Sequence, residues 1–393
     1  MVNKELNNKI LYVEACDFRS FPLGGTLSFS KQFIKNVNYD MALVGLGNSK
    51  ENIGIWTDIE LEGKKFKFYS IGTINQVKNS KLPKRIVTYL MLRKHVKTLS
   101  QNKHNILFTQ TPQFVFLAHK LSYSRFSFCF AGLGNSVGLS RFKVLRVFGG
   151  LYEKMLFNRL NKYCDLILAA ADKSEIDKKE RKYNLNKKII SFPTRFNNLI
   201  FFPEEKLKSR KEFNLDSDRK IIITTGRLAE IKGWKDLIDS FRIARLKEPK
   251  LVLFFIGEGE DRERIESYAS DEIQKRVIIL LGRKSHSEIS KYLNASDLFV
   301  MTSYVEGWPT SMVEALACGK NIVTSNIGGA NDMVKEGKNG FIIKDRSPYN
   351  FSNAILKALD LPNPNSLSLD LSSKYSSCNL DSDFKKIING ISN

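Results

Sequence analysis

NASDLFVMTSYVEGWPTSMVEALACGKNIVTSNIGG, residues 294 to 329, is the stretch from which the rest of the chain is read. Asp297 to Met301 is a short apolar run of strand type, and from Pro309 the pattern turns helical, ending near Gly319. The turn between them carries Glu306, and Glu314 follows eight positions later inside the helix. Proline is favoured at the first helical position because its missing amide would be unsatisfied there in any case. With Pro309 in that place, the free amides of Trp308, Thr310 and Ser311 point out of the positive end of the helix and form an anion site. An anion pocket between two acids suits a sugar nucleotide, which has hydroxyls at both ends and a diphosphate in the middle. Taken alone, two glutamates beside a strand-to-helix turn would equally serve as solvated charges or as complements to the helix dipole.

What precedes this stretch narrows the choice. Ile221 to Thr225 (IIITT) is a strand running into Gly226 and Arg227, and Lys232 and Gly233 follow in GRLAEIKGWKDL. A glycine at a strand end admits close backbone approach to a ligand. Arginine and lysine offer a diphosphate a bidentate fork and a point charge.

With these pieces placed in order, GRLAEIKGW, FFIGEGEDRERIE, LLGRKSHSEISKYL with the opening stretch, and GKNGFII resemble the C-terminal half of the retaining glycosyltransferases of family 4. The resemblance is close over residues 217–345 and looser before them. It implies an α/β protein of the GT-B fold, with two Rossmann-like domains facing a central cleft and a final helix crossing back to the first. The expected division is an N-terminal acceptor and membrane domain over 1–203, a donor domain over 217–345, and C-terminal helices over 346–393 that pack back on the first domain. The resemblance also implies roles. Arg227, Lys232 and the amides near Thr310 and Ser311 would stabilise the diphosphate as its charge grows. Glu306 would hold sugar hydroxyls and Glu314 the ribose. Gly226, Gly257, Gly282 and Arg283 would line the nucleotide pocket at strand ends, with Gly307, Trp308 and Pro309 forming the turn. Gly24 and Gly25, where the first strand meets a helix, would close over donor and acceptor. Retention of configuration without a metal ion follows from the same resemblance, with a UDP- or GDP-linked sugar as substrate and no cofactor. One departure is visible: where the family carries a histidine beside the sugar this chain has Ala131, so either another group takes that role or the alignment shifts by a turn, while His119, upstream in a helical pattern, reads as a packed or exposed side chain.

The bounds agree with this reading. A chain of 393 residues is too long for one core and fits two domains. Five cysteines (Cys16, Cys129, Cys164, Cys318 and Cys378) are scattered with no metal-type spacing. No run approaches a membrane span and the start is polar, so a cytoplasmic protein is expected, peripheral on the inner face of the membrane. The net charge of +21 is unevenly placed. Between Glu62 and Glu153 there is no acid, while sixteen lysines and arginines fall there. Within that region Lys81 to Leu99 and Ser140 to Leu160 alternate basic and apolar residues at helical spacing. Lys81, Lys84, Arg85, Arg93, Lys94, Arg141, Lys143 and Arg146 are therefore expected to meet an anionic membrane, each contributing on the order of 1 kcal/mol. A core-facing helix with a solvated basic face would show the same pattern.

Further short apolar runs, Asp40 to Leu46, Phe66 to Ile71, Asn105 to Thr109, Phe126 to Ala131, Asp165 to Ala169 and Lys188 to Phe192, alternate with helical patterns and predict a parallel sheet. Pro193 to Pro203 and the charged run after it read as a linker. LPNPNSLSLDLSSKYSSCN reads as irregular. Glycosyl transfer to a lipid-linked saccharide in surface-polysaccharide assembly is the leading function. A nucleotide-sugar epimerase of the same fold would need acid/base groups around the sugar, which four histidines supply poorly. A nucleic-acid-binding protein would explain the charge but leave the donor pieces without purpose.

Overall fold

The computed structural model describes residues 10–21, 25–101, 104–133 and 148–390. The chain divides into two units, one of Met1–Thr194 with Leu380–Asn393 and one of Arg195–Asn379.

The first unit is built on eight strands: β1 (Ile10–Val13), β2 (Met41–Gly47), β3 (Trp56–Leu61), β4 (Lys64–Thr73), β5 (His104–Thr109), β6 (Tyr123–Phe130), β7 (Leu166–Ala169) and β8 (Ile189–Ser191). They lie in the order β3-β4-β2-β1-β5-β6-β7-β8. All described pairs are parallel except the hairpin β3–β4 at the edge, which the sequence pattern did not announce. Its two-residue turn, Glu62–Gly63, has positive φ at both positions (50° and 76°), the geometry that joins antiparallel strands most tightly. Parallel strands are buried on both faces, and β1 shows how. Leu11 and Val13 join one cluster with Val87, Leu92 and Val96 of helix Lys84–Leu99. Ile10 and Tyr12 join the other with Phe29 and Phe33 of helix Gly25–Asn36. Helix Leu380–Gly390 completes that second cluster, with the Phe384 ring 4.9 Å from Phe33 and 5.9 Å from Phe108.

The second unit carries six parallel strands: β9 (Lys220–Thr225), β10 (Leu251–Ile256), β11 (Ile278–Leu280), β12 (Leu298–Met301), β13 (Asn321–Ser325) and β14 (Gly340–Ile343). Their order is β11-β10-β9-β12-β13-β14. The chain winds outward from β9 in one direction, then returns to start β12 at its other side. That reversal is a topological switch point, where ligands of open α/β sheets bind beyond the strand C-termini.

Two boundaries and one element differ from expectation. The first unit ends at Thr194 rather than at 203, because the charged run read as linker is anchored in the second unit. Arg210, nearly fully buried, donates to Asp297 at 2.7 Å and to the Ala295 carbonyl at 2.9 Å, and Lys206 reaches the same Asp297 at 2.9 Å. Helix Pro348–Leu359 belongs to the second unit, where Phe351 and Ile355 enter the core around Leu237 and Phe241, so of the described C-terminal helices only Leu380–Gly390 joins the first. The stretch read as irregular contains helix Ser366–Ser373, started by the Asn365 side chain, which accepts from the amides of Leu367 and Ser368.

Candidate functional site

Lys232 and Glu306, 74 residues apart, meet at 2.5 Å at the switch point of the second unit. Lys232 closes a single 3-10 turn after β9, and Glu306 lies on the loop after β12. Hydrogen bonds hold the two loops together, and Arg346 braces the second of them. The Tyr304 amide donates to the Ile231 carbonyl at 2.9 Å, and the Thr302 hydroxyl donates to the Gly233 carbonyl at 2.8 Å. Arg346, beyond β14, donates to the carbonyls of Thr302 and Ser303 at 2.7 and 2.8 Å. Gly226, Arg227 and Lys232 share one hollow with Thr225, Met301 and Ser303. The Arg227 side chain is 62 % exposed, its nearest carboxylate being Glu260 at 3.8 Å.

Three strand-end glycines form a step along the same edge. The Gly226 amide donates to the Ile256 carbonyl, and the Gly257 amide donates to the Gly282 carbonyl, both at 2.9 Å. A Cβ on Gly257 would lie 1.8 Å from the Gly226 carbonyl oxygen, so no larger residue fits between these strand ends. Arg283 is exposed just beyond this step.

The helix that follows β12 starts one residue later than expected. Pro309 is its N-cap and Thr310–Ala317 the helix, so the Trp308 amide precedes the first turn. The Pro309 carbonyl accepts from the amides of Met312 and Val313 at 3.0 and 3.4 Å. The amides of Thr310 and Ser311 have no partner among the described residues, so both have a proton to offer a ligand. The Trp308 ring is buried, edge-on to Tyr375 at 5.0 Å and against Gly329, and is part of the packing rather than of an open pocket. Gly307 is half-buried in the turn before it. Glu314 is half-buried in the helix, and its carboxyl takes no hydrogen bond within the described residues. The protein crowded around it pushes its pKa up to about 8 through desolvation. A carboxyl so placed gains from hydroxyl partners that a ligand would bring.

In the first unit Gly25 opens helix Gly25–Asn36, while Gly24 and the basic residues Arg141, Lys143 and Arg146 lie outside the described residues. Lys81, Lys84, Arg93 and Lys94 are exposed and Arg85 is half-buried. Ala131 is exposed beyond β6, and His119 stacks on Tyr163 at 5.4 Å. Sequence reading missed Glu14, at the end of β1. Its carboxylate accepts from the Thr111 hydroxyl at 2.8 Å and from the amides of Ala15 and Gln110, both at 3.1 Å, and burial pushes it up to about 7. A glutamate at a strand end gives no signal of such a network. Arg346 was missed as well, because nothing local to DRSPYN tells that its fork reaches back to Thr302.

Comparison with known proteins gives these features a family. Residues 205–373 match the family described as glycosyl transferases group 1. An uncharacterized glycosyltransferase of Methanocaldococcus jannaschii is 22 % identical over 342 residues, 84 % of each chain. The Escherichia coli UDP-Gal:alpha-D-GlcNAc-diphosphoundecaprenol alpha-1,3-galactosyltransferase is 34 % identical over 113 residues, 28 % of this chain and 29 % of that protein. The fold resembles sucrose-phosphate synthase of Thermosynechococcus elongatus (TM-score 0.76, 15 % identity, 98 % of this chain and 99 % of that one). It also resembles Anabaena HepE in complex with UDP (TM-score 0.71, 15 % identity, 97 % and 100 % covered). The chain has a GT-B fold, and residues 205–373 of its second unit are similar to the glycosyl transferases group 1.

Proposed function

We propose that this chain moves a sugar from a nucleoside diphosphate, UDP- or GDP-linked, to a lipid-linked saccharide, with retention at the anomeric carbon and without a metal ion. The proposed setting is the assembly of a surface polysaccharide such as O-antigen, capsule or lipopolysaccharide, at the cytoplasmic face of the membrane. The observation that carries the reading is the grouping at the β9/β12 switch point: an ammonium held by a carboxylate, an exposed guanidinium, and a helix that opens with two unpartnered amides. Breaking the bond from sugar to diphosphate leaves a growing negative charge. Fixed donors aimed at that charge stabilise the transition state more than the ground state. An ammonium has three protons to donate, so Lys232 can keep Glu306 while taking a phosphate oxygen. In this reading Glu306 also faces the sugar hydroxyls, and Glu314 accepts from the ribose.

Relatives support the donor class: HepE structures hold UDP or UDP-glucose, and the E. coli relative is named for transfer from UDP-Gal to a diphosphoundecaprenol-linked sugar. The exposed cations Lys81, Lys84, Arg93 and Lys94, with Arg85, support a membrane-held acceptor.

The test is a thermal-shift screen of UDP-, GDP-, CMP- and dTDP-sugars, since a ligand of the native state raises its melting point. Turnover assays on Lys232→Ala and Glu306→Ala follow, with EDTA present. Each variant is expected to lose about 10²–10³-fold in turnover with its fold intact. Near-normal turnover in both, or no shift with any nucleotide sugar, sinks the reading. Interconversion of free donor sugar without transfer would assign the site to an epimerase.

A further inference from the structure

The first unit presents an apolar surface. Leu82, Ile86 and Leu90, on and just before helix Lys84–Leu99, and Phe148, Leu151 and Met155, on and just before helix Gly149–Tyr163, are between 41 % and 58 % exposed. Spacings of four, and of three and four, put each trio on one helical face, opposite the residues that enter the core. Those inward residues are Val87, Leu92 and Val96 in one helix and Leu156, Phe157 and Leu160 in the other. Arg85 sets its guanidinium 5.8 Å from the Tyr152 ring and so joins the N-terminal turns of the two helices.

The charge around this surface has one sign. Lys81, Lys84, Arg93, Lys94 and Lys97 are exposed beside the first trio and Lys154 beside the second. Lys78 and Lys84 both approach the Phe21 ring, at 5.2 and 5.4 Å, which places two ammoniums close together without an acid between them. The one carboxylate of helix Gly149–Tyr163, Glu153, is turned inward, where Lys179 and Lys182 pair with it. Large exposed apolar side chains gathered on one face mark a binding surface. A second copy of the chain would bring equal cations against these, whereas lipid headgroups of an anionic bilayer bring the opposite charge.

We propose that this face docks on an anionic bilayer by inserting Leu82, Ile86, Leu90, Phe148, Leu151 and Met155 into the edge of the hydrocarbon, with the surrounding lysines and arginines at headgroup level. The inference deepens the proposed function and rests on its membrane-held acceptor for purpose. The geometry stands without it. Attraction between charges fades with salt, whereas burial of apolar side chains does not. Anionic lipid therefore brings the chain to the surface, and insertion keeps it there.

The experiment uses the full chain and flotation with phosphatidylcholine vesicles, with and without phosphatidylglycerol, at low and high salt. Binding is expected to require phosphatidylglycerol and to survive a subsequent rise in salt. The combined variant Leu82→Ser, Ile86→Ser and Leu90→Ser is expected to lose on the order of a hundredfold in partition at high salt. A single Leu90→Cys variant carrying an environment-sensitive dye should shift to the blue on vesicles. The proposal is overturned if the dye stays in water while the protein floats, if the triple variant partitions like the parent, or if the triple variant dissolves a dimer without changing flotation. The thermal shift with a nucleotide sugar, read on the same preparations, reports on the donor site alone, so failure of one reading is told from failure of the other.

Discussion

Four contacts converge on the Arg346 guanidinium: Asp236 at 2.7 Å, the carbonyls of Thr302 and Ser303 at 2.7 and 2.8 Å, and the Tyr304 ring 3.9 Å from its carbon. The fork ties the loop bearing Glu306 to the helix that follows Lys232, which places Arg346 to position both. Hydrogen bonds to charged groups contribute about 1.5–3 kcal/mol each. Arg346→Ala should raise the KM for donor about tenfold or more, and Arg346→Lys, which cannot span both carbonyls, should restore only part. A fall in melting temperature with KM unchanged in both variants would reduce Arg346 to a structural strut. Glu314 makes a pH prediction. Burial raises its folded pKa to about 8 from the ordinary carboxyl value of 4.5, so the native state binds the proton more tightly than the unfolded chain. Between these two values the unfolded state holds fewer protons, and stability falls as pH rises through the window. Glu314→Gln removes the loss, and its melting temperature should exceed the parent's by more at pH 8 than at pH 5. Lys232 and Glu306 were legible from the sequence because charge type and order along the chain carried them. Arg346 was not, because its partners lie 44 and 43 residues away and only the folded sheet brings them near.

The loop after β9 works because of one glycine. Gly233 has a φ of +68°, and a Cβ there would lie 2.0 Å from the Thr302 carbonyl oxygen. Gly233→Ala therefore meets both a backbone conformation that side chains resist and a backbone atom that the sheet holds in place. It should cost more than about 2 kcal/mol in urea unfolding and reduce turnover as well, because Lys232 is its neighbour. An activity loss without a stability loss would mean that the loop yields. The alternating strands and helices were legible from apolar runs bounded by glycine and charge. The β3–β4 hairpin was hidden, since WTDIEL and KKFKF mix polar and apolar residues on an exposed edge. Helix Ser366–Ser373 was hidden because serine weighs against helix by propensity, and the Asn365 cap with burial of Leu371 outweighs it.

Two units, each with its own sheet and core, imply two unfolding transitions that single substitutions can move apart. Phe384→Ala removes a ring that meets Phe33, Phe108 and Phe192, and should lower the first unit's stability by about 3–5 kcal/mol. Differential scanning calorimetry with a nucleotide sugar present identifies which transition moves. A shift confined to the ligand-stabilised transition would contradict the assignment of the last helix to the first unit. The return of that helix was legible only through family resemblance, because a short amphipathic segment does not say which sheet it covers. The first boundary was misplaced because EEKLKSRKEF looks solvated until Asp297 is seen beneath it. The same helix has a consequence for how the protein is made. A ribosome delivers Phe33 and Phe108 hundreds of residues before Phe384, so the earlier-born half waits with an uncovered aromatic floor until Phe384 itself has been made. The later-born sheet, contiguous in sequence, can settle first, reversing the usual N-to-C order of folding on the ribosome.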